Sequence, residues 1–146
     1  QLVPGVEITA RACPLFVPLV EAGYVDHSEE SRQQVTKLVI AQYLTEVRDA
    51  GVDTLILGCT HYPLIRSTVA KVMGDHVTLV NPAYETAREL KELLMEKGLF
   101  NPVPPQLGTN KYEFFVSDGA EKFVHFANSI IKYGILGAKV IQIEDY

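Results

Sequence analysis

The chain has 146 residues, 47% of them apolar and 21% charged, which is enough for a globular core and too apolar for a disordered segment. Its formal charge is −5 and its Lys and Arg residues are scattered, so no basic stripe suits nucleic acid or an anionic membrane. No apolar run approaches the ~18–20 residues of a membrane span, and the N-terminus lacks a signal-peptide layout. Cys13 and Cys59 match neither a zinc nor a disulfide spacing, so a cytoplasmic protein with free thiols is expected. The chain opens at Gln1 without an initiator Met and runs at once into a strand-like pattern, as a fragment or a processed protein would.

Residues 6–12 alternate apolar and polar side chains and predict a first strand. Residues 14–21 are short and apolar, a small helix that Gly23 ends. A long amphipathic helix follows over 29–50. Asp26 and Ser28 are its candidate N-caps, and Val35, Val39, Ile40, Tyr43, Leu44 and Val47 form its apolar face. Residues 53–58 (DTLILG) form the clearest strand; the continuously apolar middle predicts burial on both faces. Pro63 fits the first turn of a helix that runs to Met73 before Gly74. Residues 77–80 predict another strand, and Asn81-Pro82 caps and opens a helix to Lys97. The proline-rich stretch 99–110 reads as a loop or linker. Beyond it, 112–116 predict a strand, and Asp118-x-x-Glu121 has capping-box spacing for a helix to Tyr133. Residues 140–143 offer a last strand. The alternation implies an α/β fold with mostly parallel sheets and flanking helices.

Ligands of open parallel α/β sheets collect at the carboxyl ends of strands. Two polar clusters fall there: Gly58-Cys59-Thr60-His61, and Ser117-Asp118. Cys59 stands before a helix start, where unpaired N–H groups favour a thiolate, and His61 can share its proton. Thr60 offers a hydroxyl and an N–H to an anionic group, and Gly58 allows close approach to the backbone. Read blandly, Cys59 is a small buried hydrophobe and His61 a satisfied helix-start residue. Cys13 lies among apolar neighbours and reads as packing. Glu21 is either a solvated helix end or a carboxylate that orients His61. Asp118 reads as a helix cap. No cluster has metal-ligand spacing, and no Gly-rich phosphate loop is present.

The segment 55–64, LILGCTHYPL, resembles the second cysteine motif of bacterial glutamate racemases, in the aspartate/glutamate racemase family. ACPLFVPLVE (12–21), NPAYETA (81–87) and FFVSD (114–118) resemble other blocks of that family, in its order. The resemblance implies a two-domain, pseudo-symmetric fold in which two cysteines flank the α-carbon of glutamate. One thiolate removes the α-proton and the opposing thiol returns one to the other face, with no cofactor. The catalytic set it implies is Cys59, His61 and Glu21, the glutamate orienting the histidine, with Thr60 in substrate binding. It implies no catalytic role for Cys13. The family's Cys-Asn-Thr and Asp-Ser-Gly motifs are absent here, as is the threonine-rich turn expected before residue 1.

On that template the chain corresponds to the C-terminal half. Residues 1–80 are the latter part of the second domain, and 81–146 the return segment that completes the first. The implied partners are glutamate and the missing N-terminal half, with exposed apolar faces favouring a homo-oligomer and no role for nucleic acid or membrane. The half alone is expected to be inactive. Other readings stay open: a related racemase for aspartate, a non-catalytic folding or assembly unit, or a transferase or hydrolase with Cys59 as nucleophile and His61 as base.

Overall fold

The computed structural model describes residues 5–102, 112–131 and 134–145. The chain forms two compact units, Gln1–Leu93 and Leu94–Tyr146. Both are mixed α/β, and among the described residues each has one two-stranded parallel sheet.

In the first unit, α1 (Phe16–Glu21) and α2 (Glu30–Asp49) precede β1 (Thr54–Ile56). A 3₁₀ turn, Tyr62–Ile65, leads into α3 (Arg66–Met73) and then β2 (Thr78–Val80). Strands β1 and β2 pair in parallel, with Thr54 opposite Thr78 and Ile56 opposite Val80. The Leu57 N–H extends the ladder to the Val80 carbonyl at 3.0 Å. Two parallel strands need a crossover, and the 3₁₀ turn with α3 supplies it. The core lies among the three helices: Phe16 and Val20 of α1, Ile40, Leu44 and Val47 of α2, and Val69, Val72 and Met73 of α3 are buried.

Helix α2 matches its periodicity, with one substitution on its inner face. Thr36 is buried where the apolar pattern favoured Val35, which is exposed. The hydroxyl of Thr36 bonds the Arg32 and Tyr24 carbonyls at 3.0 and 3.3 Å, so the polar group is satisfied inside. Neither expected N-cap serves α2: Glu29 holds the cap position without a side-chain bond, and Ser28 bonds the Val25 carbonyl. Asp26 instead caps α3. Its carboxylate accepts from the N–H of Ser67 (2.6 Å), the N–H of Thr68 (2.9 Å) and the Thr68 hydroxyl (2.7 Å). Those orphan amides at a helix start favour an anion, and the chain has folded back far enough for a remote carboxylate to supply it.

Two strand expectations are corrected. Residues 6–12 form no strand, because alternation becomes a strand only through a ladder, and no described segment pairs with them. At the end of β1, Ile56 is 63% exposed while the next residue, Leu57, is buried. Neighbouring side chains point to opposite faces, and only the face bearing Leu57 is covered within this unit.

Asn81 caps α4 (Pro82–Glu96) as expected, its Oδ1 accepting the Ala83 N–H at 3.0 Å. No residue of α4 is buried, and Leu90 and Leu93 are exposed. The loop expected over 99–110 falls mostly on residues 103–110, outside the described residues.

In the second unit, β3 (Phe115–Val116) pairs in parallel with β4 (Lys139–Val140) on either side of α5 (Ala120–Ile130). The last strand is thus one residue earlier than its pattern, and 143–145 close as a 3₁₀ turn. Helix α5 ends at Ile130, and residues 132–133 of the expected extension are outside the described residues. The cap of α5 is Gly119 at φ 63°, where an L side chain is strained, so the Asp118 cap is displaced outward. Its carboxylate accepts the Gly119 N–H at 2.6 Å. The Asn128 side-chain amide donates to the Ile135 carbonyl and accepts the Ile135 N–H, tying α5 to that residue.

Asp26→Ala should destabilise the chain by about 1–2 kcal/mol, the usual cost of losing a helix cap. Urea unfolding of the two proteins measures it, and an unchanged midpoint would show that the α3 terminus does not need the carboxylate.

Candidate functional site

The site begins where β1 runs out. After Ile56 the backbone turns tightly, the Gly58 N–H reaching the Ile56 carbonyl (3.0 Å) and the Cys59 N–H the Leu57 carbonyl (2.8 Å). These bonds span two residues, as in γ-turns, and present the segment 59–61 beyond the strand end. A Cβ at Gly58 would meet no atom within 4 Å, so the fold does not demand glycine there. The following turn is 3₁₀, and α3 begins only at Arg66 with its first amides given to Asp26. The α-helix start expected to polarise Cys59 is therefore further along the chain and already occupied.

Cys59 is partly exposed, and its Sγ lies 3.9 Å from His61 Nδ1. Thr60 Oγ1 is 3.4 Å from the same nitrogen. On the other edge of the ring, His61 Nε2 is 3.3 Å from Glu21 Oε1 at the end of α1. The four expected site residues thus converge, although Glu21 is far from the others in sequence. When the ionised Glu21 accepts from Nε2–H, the neutral imidazole keeps Nδ1 as an acceptor toward Cys59 and Thr60. The Glu21 side chain is 59% exposed, so the pair adds little to the stability of the fold.

Cys13 is 5% exposed, and its thiol points to the Arg11 carbonyl at 3.6 Å. Burial pushes its pKa up, a shift only partly offset by the Arg11 guanidinium. Among the described residues no group of three or more His, Cys, Asp or Glu could hold a metal ion, and no helix is long and apolar enough to cross a membrane. An open cavity of about 500 Å³ in the second unit is lined by Glu121, His125 and Asn128 and includes none of the four site residues.

No family model matches the chain. Among curated proteins, the glutamate racemase of Geobacter metallireducens is 42% identical over 128 residues, covering 88% of this chain and 44% of that protein. The glutamate racemase of Enterococcus faecalis is 39% identical over 140 residues, 96% of this chain and 48% of its own length. A solved glutamate racemase from Francisella tularensis, in complex with D-glutamate, superposes with a TM-score of 0.77 at 30% identity, covering 98% of this chain and 50% of that one. That of Thermus thermophilus, in complex with β-chloro-D-alanine, gives 0.75 at 32% identity, with 93% and 48% coverage. The chain is homologous to about half of a glutamate racemase.

In this racemase homologue, sequence reasoning overlooked Tyr62. Its ring packs edge-on against Phe16, and its hydroxyl reaches the Cys13 carbonyl at 3.5 Å. The signal was present in the motif itself, where the aromatic directly follows His61, but Cys13 lies 49 residues away, Phe16 is nearly as distant, and no local pattern names either.

The two thiols should differ sharply toward iodoacetamide. Near neutral pH, Cys59 should be alkylated at least about tenfold faster than Cys13, because access and a raised pKa both hold back the buried thiol. Since that pKa is raised, Cys13 gains thiolate only at higher pH, and unfolding should remove the difference. Peptide mass spectrometry at several pH values measures both rates, and equal rates in the folded chain would contradict the buried setting of Cys13.

Proposed function

We propose that this chain is the C-terminal half of a cytoplasmic, cofactor-independent glutamate racemase that supplies D-glutamate for the peptidoglycan of the bacterial cell wall. The observation that carries the reading is the convergence of Cys59, His61 and Glu21 at one strand end in a chain homologous to half of such enzymes. Residues 1–80 belong to the latter part of the second domain of that enzyme, and 81–146 return to complete the first. The glutamate substrate lies over Cys59, with Thr60 holding one of its charged groups.

In this mechanism Cys59 works from one face of the α-carbon. As a thiolate it takes the α-proton, and as a thiol it returns one to a carbanion formed from the opposite face. His61 Nδ1 holds or releases the thiol proton, and Glu21 stabilises the ring when that proton is on it. The opposing thiol comes from the N-terminal half, so each turnover leaves the two sulfurs with exchanged protonation states. Opposed groups suit inversion, because a single base tends to return the proton to the face it left. The chain alone therefore lacks one of the two bases.

Joined to the N-terminal half, the protein should exchange the glutamate α-hydrogen with D₂O and racemise it, while the isolated chain should do neither. Cys59→Ser should lower racemisation by about 10²–10⁴-fold, the range for loss of a general acid–base group. Glu21→Gln should cut kcat by less and leave KM nearly unchanged. Racemisation by the isolated chain at the rate of the joined protein would refute the half-site reading. A stable covalent adduct on Cys59 would instead mark it as a nucleophile.

A further inference from the structure

Glu21 reaches His61 only because α1 lies against the turn that follows Cys59. Helix α1 has six residues, too few to hold a position by itself, and Gly23 turns the chain away immediately after it at φ 81°. Something outside the helix must fix its angle. Phe16, on its first turn, is 2% exposed and lies between two tyrosines. Tyr43 of α2 meets it at 5.5 Å between ring centroids and 88° between planes, and Tyr62 at 5.2 Å and 71°. Tyr43 joins α1 to the scaffold. Tyr62 joins it to the site, being the residue after His61.

We infer that the Tyr62 ring is a positioning residue that, by bracing α1 through Phe16, holds Glu21 within reach of His61. The inference rests on the reading of Glu21, His61 and Cys59 as one site. The Tyr62 hydroxyl adds a second tie to the start of α1, through the Cys13 carbonyl, but at 3.5 Å this bond is weak and the ring contact dominates. Burial first, and then the nearby Cys13 and Cys59 sulfurs when charged, raise the phenol above its ordinary pKa, so the group stays neutral against Phe16. Tyr62 therefore touches both the segment of the buried thiol and the helix that carries the orienting carboxylate.

The test follows the Glu21–His61 pair directly, by NMR, as the nuclear Overhauser effect between the His61 ring protons and the Glu21 γ-protons in the 146-residue chain. The contact should be present in the parent and in Tyr62→Phe, which keeps the ring, and lost in Tyr62→Leu and Tyr62→Met. Amide protection in α2 and α3 reports whether each variant is folded. The pH profile of Cys59 alkylation should move in Tyr62→Leu in the direction that Glu21→Gln moves it, and adding Glu21→Gln to Tyr62→Leu should produce no further change. A Glu21–His61 contact that survives in folded Tyr62→Leu or Tyr62→Met overturns the inference. So does its absence from the parent, or unfolding of both variants, which would make Tyr62 an ordinary core residue. If the contact follows Tyr62 as stated but Glu21→Gln leaves Cys59 alkylation unmoved, the brace stands and the proposed relay to Cys59 fails.

Discussion

The ring of Phe16 is the contact on which the arrangement of this chain's first unit turns. It is buried between Tyr43 of α2 and Tyr62 of the turn after β1, so one side chain joins the long helix, the short helix and the strand end. Edge-to-face aromatic pairs have a preferred geometry that a purely aliphatic contact lacks, and they fix angle as well as distance. A six-residue helix has little stability of its own, and its carboxyl-terminal Glu21 would otherwise sweep freely through solvent. With Phe16 held, Glu21 faces His61 at 3.3 Å.

A second constraint complements it. Asp26 gives its carboxylate to the first amides of α3 and its own N–H to the Leu64 carbonyl, clamping the loop after α1 onto the turn that carries the site. The aromatic contact and the cap therefore hold residues 62–68, the stretch that follows Cys59, Thr60 and His61. Ahead of that stretch, Cys59 and His61 are partly exposed and Thr60 is exposed, while backbone bonds hold the Cys59 N–H, the Cys59 carbonyl and the His61 carbonyl. The electrostatics divide along the same line. The thiol inside the core, Cys13, is raised in pKa by burial, whereas the partly exposed thiol has an imidazole beside it.

The chain spans about half the length of the curated relatives it matches. Among the described residues each sheet has two strands, Ile56 of β1 is exposed, and α4 buries none of its apolar residues. Residues 6–12 alternate as a strand should, yet no described segment pairs with them. The chain superposes on about half the length of two solved glutamate racemases.

Much of this was legible in the sequence, because the relevant physics is local. Helical periodicity located α2, a β-rich apolar run located β1, and Asn81-Pro82 marked the start of α4, each decided by neighbours within a turn or two. The residue types at 59–61, and the strand end they follow, already indicated a thiol with a proton partner. Only the tertiary structure decided the rest. Alternation cannot reveal whether a partner strand is present, so residues 6–12 and the outer face of β1 were misjudged. Capping spacing cannot reveal a donor from elsewhere in the chain, so Asp26 was assigned to the helix beside it rather than to α3. Nor could spacing place Glu21 against His61 or Phe16 against Tyr62, since these pairs are 40 and more residues apart and meet only when the helices pack.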